Sequence, residues 1–177
     1  RTHGDYGPGP DEGGPSDSIL AGTGELVTTG PPNLLRVRGE GRLINEAGHT
    51  IRGSGRFERI VNRGTVLADS GDMRWEVTSA EPNSGLLASS GGGKLQIWTS
   101  ITQTEAGRIE NLGGTVTIQN NYSPTITGGT LAGTGAPISL SRNSNLTLQA
   151  ITLQGVLSTP LGDAEVRIVD DGTRTAA

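Results

Sequence analysis

The sequence has no cysteine, few aromatic residues and no long apolar run. Without cysteine, the 177-residue chain can form neither disulfides nor thiolate-based sites. Aromatic residues make up 3% of the chain and apolar residues 32%, which excludes a thick globular core of large side chains. No stretch approaches the ~20 apolar residues of a membrane-spanning helix, so no membrane span is predicted.

Clustered positive charge is also absent. The formal net charge is −4, and the 14 basic residues are scattered along the chain, all but one of them arginine. Proteins that bind nucleic acids concentrate their cations on one surface, because phosphate contacts release bound counterions. The sequence therefore argues against a nucleic-acid partner.

What the chain has instead is glycine and a repeated phrase. Glycine accounts for 29 of 177 residues, about twice its average share of roughly 7%. Residues 42–51 read RLINEAGHTI, residues 59–67 read RIVNRGTVL and residues 108–118 read RIENLGGTVTI. Each phrase has an arginine, an apolar pair or near-pair, an asparagine, a glycine and another apolar residue. A short strand–turn–strand unit repeated without helical periodicity is typical of a solenoid.

Short apolar runs follow one another from Ile19 onward, and some of their apolar residues recur at a regular spacing. The runs alternate in polarity, as short strands do, and glycine, proline or asparagine separates them. Leu87, Ile109 and Leu131 are evenly spaced, at about 22 residues, which accommodates three strands and three corners per coil. We therefore predict an all-β fold, a parallel β-helix of about 22 residues per coil. The residues predicted to point into its core are Ile51, Val66, Leu87, Ile109, Val116 and Leu131.

Asparagine and glycine occupy the predicted corners of the coils. Both tolerate the left-handed backbone that turns a strand sharply. Stacked in successive coils, the asparagines are expected to form an amide ladder along the axis. The predicted corner and ladder residues are Asn45, Asn62, Asn83, Asn111, Gly64, Gly114 and Gly129.

Composition divides the chain into three parts. Residues 1–18 are rich in glycine and proline, which predicts an extended arm or linker. Residues 19–161 form the predicted β-helix, whose first coils are expected to be irregular because Ile51 and Val66 are too close in sequence for a full coil. Residues 162–177 predict one more strand, around Val166 and Ile168, followed by a polar tail.

The stretch LINEAGHTIRGSGRFERIVNRGTVLADSG resembles the repetitive passenger regions of autotransporters and filamentous haemagglutinins, which are bacterial secreted and surface proteins. The resemblance lies in the style of the repeat, over residues 42–69 and more weakly to about residue 135. It implies a right-handed parallel β-helix, an extracellular or cell-surface location, and a structural role in a surface fibre or adhesin. It implies no catalytic residue, and no cofactor or metal is expected.

A carbohydrate-binding or polysaccharide-cleaving β-helix, of lyase or tailspike type, is the alternative. Trp75 and Trp98 are separated by close to one coil, and two aromatic planes on one face would stack on sugar rings. Cleavage would need clustered carboxylates on adjacent coils. The candidates are Asp69, Asp72, Glu76 and the pair Asp170 and Asp171. They are sparse, so we expect no enzyme activity and favour the structural role.

The two ends of the predicted β-helix indicate self-association. An open solenoid ends in unpaired strand N–H and C=O groups, which form a template for another chain. The sequence shows no amphipathic helix at either end that would cover them. We therefore expect head-to-tail stacking of identical chains, a heterologous contact that propagates into a filament unless rotation closes it. The alternative is that the chain is a fragment of a longer polypeptide whose neighbouring coils cover both ends. A surface glycan is the other class of partner left open.

Overall fold

A computed structural model describes residues 17–29, 34–35, 41–77, 81–119, 123–159 and 164–169. These residues contain no helix, and all their strand pairs are parallel. In chain order the strands are β1 (Ser18–Leu20), β2 (Glu25–Thr28), β3 (Leu34–Leu35), β4 (Leu43–Asn45), β5 (Thr50–Gly53), β6 (Gly55–Phe57), β7 (Ile60–Asn62), β8 (Thr65–Trp75), β9 (Leu86–Ile97), β10 (Ile101–Thr102), β11 (Arg108–Asn111), β12 (Thr115–Ile118), β13 (Thr125–Thr127), β14 (Thr130–Leu140), β15 (Asn145–Gln149), β16 (Thr152–Ser158) and β17 (Glu165–Val169).

The strands stack in three columns, which we call faces 1, 2 and 3. Face 1 contains β1, β4, β7, β10, β13, β15 and β17. Face 2 contains β2, β5, β11 and the first halves of β8, β9, β14 and β16. Face 3 contains β3, β6, β12 and the second halves of the same four long strands. Each coil passes from face 1 to face 2 to face 3, so the parallel β-solenoid predicted from the sequence is confirmed.

The face-2 column sets the length of each coil. Its inward residues pair, from one coil to the next, in the order Leu26, Ile51, Val66, Leu87, Ile109, Leu131 and Leu153. The chain thus makes about six turns, and the spacing predicted from the sequence holds from Val66 onward. The coil of Ile51 is short because Ser54 alone separates β5 from β6, and only Glu58 and Arg59 separate β6 from β7.

A narrow apolar core runs inside the three faces. The six predicted core residues are fully buried, each with 0% of its surface exposed. Five of them share the face-2 column, whereas Val116 lies on face 3 and stacks between Leu95 and Ile138. Leucine and β-branched side chains suit this narrow space, and among the described residues only Phe57 and Trp75 are buried aromatics. Full burial of one such side chain contributes about 1.5–3 kcal/mol.

Described residues adjoin both predicted ends of the β-helix. Strand β1 begins at Ser18, a residue assigned to the arm from the sequence, and residues 1–16 of that arm lie outside the described residues. The extra strand predicted around Val166 and Ile168 is β17, which pairs with β15. The polar tail from residue 170 onward also lies outside the described part of the chain.

Face 1 is divided into two separate sheets. One sheet holds β1, β4 and β7, and the other holds β10, β13, β15 and β17. Between them, the described residues of the fourth coil form no strand on this face and contribute a single bridge, from Asn83 to Gln103. Faces 2 and 3 continue past the same level through β8 and β9.

Candidate functional site

A row of buried amide side chains lines the corner between faces 1 and 2. Asn45 Nδ2 donates to Asn62 Oδ1 over 2.8 Å, and Asn62 Nδ2 donates to Asn83 Oδ1 over 2.9 Å. Asn83 Nδ2 donates to Gln103 Oε1 over 3.2 Å, and Gln103 Nε2 donates to the Gly128 carbonyl over 3.1 Å. We call Asn45, Asn62, Asn83 and Gln103 the amide ladder. It connects the second coil to the fifth.

Each asparagine of the amide ladder also bonds to the backbone. The second acceptors of the Nδ2 groups are Thr65 O for Asn45, Leu86 O for Asn62 and Gly85 O for Asn83, at 3.1, 3.2 and 3.1 Å. The four ladder residues are at most 5% exposed. A buried amide that loses a partner has no water to replace it, so these bonds act together and hold successive coils in register.

Asn111 lies at a corner, as predicted, but it does not belong to the amide ladder. It ends β11 at the corner between faces 2 and 3, where its Nδ2 donates to Pro137 O over 2.8 Å. Its Oδ1 accepts from the Gly113 N–H over 3.2 Å. Both kinds of corner combine asparagine with a following glycine, so the repeated phrase does not distinguish them. The place expected for Asn111 is taken by Gln103, which the asparagine–glycine pattern does not detect.

His49 continues the row of polar side chains toward the first coil. Its Nδ1 lies 2.8 Å from Asn45 Oδ1, and the residue is 7% exposed. In the first coil, Leu20 occupies the position that pairs with Asn45, so that coil offers no amide there. His49 therefore supplies the bond that a further amide would make. The repeated asparagine–glycine phrase does not predict this contact.

The predicted corner glycines fall into two columns. Gly64 and Gly129 precede β8 and β14 at the start of face 2, whereas Gly114 precedes β12 on face 3. A Cβ at Gly64 would overlap the carbonyl oxygen of Glu46, and a Cβ at Gly129 would overlap that of Gly107. Gly129 also has φ +65°, in the left-handed region. These corners require glycine because the preceding coil approaches too closely for any side chain.

Trp75 and Trp98 lie on opposite sides of face 3, so the predicted sugar-stacking pair is wrong. Trp75 pairs in register with Ile97, is 3% exposed and packs on Phe57 with ring centroids 6.5 Å apart. Trp98 comes one residue after Ile97, and strand alternation turns it outward. There the Arg74 guanidinium lies 5.6 Å from its ring centroid.

Three of the carboxylates considered for metal or acid–base chemistry form ion pairs on the outer surface. The pairs are Asp69–Arg52 at 2.8 Å, Asp72–Lys94 at 3.8 Å and Glu76–Arg56 at 2.8 Å. Within the described ranges, no three histidine, aspartate or glutamate side chains are grouped as metal ligands. Asp69, Asp72 and Glu76 thus have cationic neighbours that neutralise them, and the arrangement resembles a solvated ion-pair surface.

Two carboxylates are held in their charged form by arginines. The side-chain hydrogen bond from Arg42 lowers the pKa of Asp17, which also accepts from the Arg42 backbone N–H over 2.9 Å. The side-chain hydrogen bond from Arg108 lowers the pKa of Glu110. Glu110 additionally accepts from the Thr134 hydroxyl over 2.8 Å. These contacts tie the first coil to the second and the fifth coil to the sixth.

The last two strands expose apolar side chains of the kind that earlier coils bury. Leu153 continues the face-2 column and is 45% exposed, whereas its partner Leu131 is 0% exposed. Ile168 of β17 stacks on Leu148, and their exposed fractions are 75% and 1%. The inward columns therefore reach solvent at the C-terminal end of the described solenoid.

No family model matches this sequence, and neither a curated protein nor a solved structure is significantly similar to it. The described part of the chain includes no helix with the length and apolarity that a membrane crossing requires.

Proposed function

We propose that this protein is a non-catalytic structural β-solenoid of the bacterial cell surface, a subunit or segment of a fibre or adhesin that stacks head to tail on a second copy. The observation that carries the proposal is the exposure of Leu153 and Ile168 at the C-terminal end of the core columns. In this proposal, a further coil covers both side chains and extends the core.

Stacking of a further coil is supported by the uniformity of the junctions already present. On face 2, one backbone bond recurs between successive coils, from the residue before the inward position to a carbonyl of the preceding coil. Its lengths run from 2.8 to 3.1 Å, and the six bonds are Thr50 N to Gly24 O, Thr65 N to His49 O, Leu86 N to Gly64 O, Arg108 N to Gly85 O, Thr130 N to Gly107 O and Thr152 N to Gly129 O. A repeat with such uniform junctions grows by adding the same junction again.

The N-terminal end offers a first coil of the same form. Leu20 and Leu26 pack against the core and are only partly buried. Covering one exposed leucine or isoleucine fully contributes about 1.5–3 kcal/mol, and strand edges add backbone bonds. The surface location is supported by the repeat style of residues 42–69, which resembles that of secreted passenger regions.

Sedimentation velocity and electron microscopy of the 177-residue chain test the assembly. We expect the sedimentation coefficient to rise with concentration and filaments to appear. Leu153→Lys and Ile168→Lys should abolish the association without unfolding the protein. The matched control is Leu112→Lys, because Leu112 is also 45% exposed but lies between β11 and β12, away from the ends. A chain that stays monomeric at high concentration, or variants that assemble normally, would overturn the proposal.

Catalysis and location are tested separately. Pectin and alginate incubated with the protein, with or without calcium, should keep their viscosity. Depolymerisation that disappears in Asp69→Asn or Asp72→Asn would favour the polysaccharide-cleaving alternative instead. Antibodies should label intact cells of the source bacterium, and labelling only after lysis would contradict the surface location.

A further inference from the structure

In the part of the fourth coil that the structure describes, the backbone bonds to the neighbouring coils on face 1 come from a short segment around Asn83. On its N-terminal side, Asn62 O accepts from the N–H groups of Ser84 and Gly85 at 3.0 and 3.2 Å. On its C-terminal side, Asn83 N donates to Thr102 O over 2.8 Å, and Asn83 O accepts from Thr104 N over 3.0 Å. Asn83 thus bonds to both sides of the interruption through its side chain, and its backbone bonds to the second sheet of face 1.

Pro82 explains why the sheet is interrupted here. Ser84 N–H donates to Asn62 O, and the equivalent bond two residues earlier would join residue 82 to Ile60 O. Proline has no N–H and cannot make that bond, which is why it is excluded from the interior of sheets. The fourth coil therefore lacks a strand bond that the other coils make.

Next to Pro82, Glu81 occupies a position at which neighbouring coils have an apolar residue. The bridge between Asn83 and Gln103 places Glu81 opposite Ile101, in a column whose other members include Ile60 and Ile126. The Glu81 carboxylate forms ion pairs with Arg42 and with Arg63, so it does not replace an apolar residue in the core. A cavity of about 20 Å³ remains beside it, lined in part by Ile60, Trp75, Val77 and Ile101. That volume holds about one water molecule.

Faces 2 and 3 are continuous at the level where face 1 is interrupted. β8 and β9 pair at ten positions over both faces, from Thr65–Leu86 to Trp75–Ile97. Bending that separates the coils on face 1 would leave these pairs intact, because they lie on the other two sides of the solenoid. The interruption separates the coils into two blocks. One block contains the coils of β1, β4 and β7, and the other block contains the coils of β10, β13, β15 and β17.

We propose that the interruption is a hinge, at which the two blocks open on face 1 about the β8–β9 pairing while Asn83 holds them closed. The hinge is a property of the single chain and does not depend on the head-to-tail assembly. Opening exposes the backbone of β7 and β10 and lets the solenoid bend in one direction, toward faces 2 and 3.

Hydrogen exchange measured by mass spectrometry on the full 177-residue chain tests the hinge. Local opening makes buried amides exchange without global unfolding. In the wild type, the backbone amides of residues 60–62 and 101–104 on face 1 should exchange faster than those of residues 65–68 and 86–97, which lie on faces 2 and 3. Equal protection of these segments would overturn the proposal.

Two variants change the hinge in opposite directions. Asn83→Ala removes ladder bonds on both sides of the interruption and should speed exchange at residues 101–104 about tenfold, with no change at residues 86–97. Pro82→Thr restores the missing N–H and should slow exchange at residues 60–62. The matched control is Asn45→Ala, which also cuts the amide ladder, but between the continuous strands β4 and β7. It should leave residues 101–104 unchanged.

The pattern of these changes decides between a hinge and a general loss of stability. Uniform acceleration across all three faces in Asn83→Ala, or the same acceleration in Asn45→Ala, would overturn the hinge. If Asn83→Ala does not fold, Pro82→Thr still decides, because unchanged exchange at residues 60–62 would contradict the role of the proline.

Discussion

Asn62 Nδ2 lies 2.9 Å from Asn83 Oδ1, and this bond joins two buried side chains at the level where face 1 is interrupted. Neither amide can exchange its partner for water, because Asn62 is 1% exposed and Asn83 is 3% exposed. Cutting the bond on one side therefore leaves an unsatisfied polar group on the other.

Asn62→Ala should destabilise the protein by about 2–4 kcal/mol. The substitution removes the bonds to Asn83 and Leu86 O and leaves Asn45 Nδ2 without its ladder acceptor, and each orphaned buried group costs about 1–3 kcal/mol. Urea denaturation measures the loss. The control is Thr117→Ala on the outer side of β12, which should change stability by less than about 0.5 kcal/mol. Equal effects of the two variants would contradict the role of the ladder.

Val66→Asp and Leu131→Asp should each cost several kcal/mol or prevent folding. Both side chains are fully buried in the face-2 column, and an unpaired carboxylate there has no solvent. Thermal unfolding followed by circular dichroism provides the measurement. The neighbouring outward positions offer matched controls, since Thr65→Asp and Thr130→Asp place the same charge in solvent. If the inward and outward variants melt together, the register is wrong.

Stability should decrease in acid partly through Glu110. Its pKa in the folded protein is lowered from the ordinary 4.5 by the hydrogen bond from Arg108, so the unfolded chain binds the proton more tightly. The contribution of Glu110 is complete above pH 4.5 and is lost as the pH falls through the lower, folded pKa. Glu110→Gln should be less stable than the wild type near neutral pH, and the difference should shrink in acid. A difference that stays constant with pH would contradict this coupling.

The two tryptophans should differ sharply in their contribution to stability. Trp75→Ala empties part of the core beside Phe57 and should cost about 3–5 kcal/mol. Trp98→Ala loses a surface contact with Arg74, worth about 0.5–1 kcal/mol. Urea denaturation compares the variants, and acrylamide quenching of Trp75→Phe and Trp98→Phe reports which indole is shielded. Similar losses, or similar quenching, would place both rings in one environment.

The spacing of apolar residues predicted the fold because each coil must return an inward side chain to the same column. The even spacing of Leu87, Ile109 and Leu131 revealed the period of the coils. The shorter interval between Ile51 and Val66 predicted an irregular coil but did not show its cause, and the two residues do pair. A corner can be as short as one or two residues, and the amino-acid composition does not predict which corners are short.

The side-chain assignments were less predictable than the columns. Trp75 is followed one coil later by Ile97, and Trp98 lies one position beyond it, which reverses the side of the strand. That signal is present in the sequence, because a spacing one residue longer than the coil places the second side chain on the opposite side of its strand. Gln103 was missed for a chemical reason, since glutamine carries the same amide as asparagine but rarely forms a corner.

The direction of the amide ladder makes His49 Nδ1 a hydrogen-bond donor. Asn45 Nδ2 donates to Asn62 Oδ1 and Thr65 O, so Asn45 presents its oxygen to the imidazole. His49 Nδ1 must then carry a hydrogen and donate it to Asn45 Oδ1. Nitrogen-15 chemical shifts show whether Nδ1 carries a hydrogen, so an imidazole spectrum reports the orientation of the Asn45 amide at the end of the row.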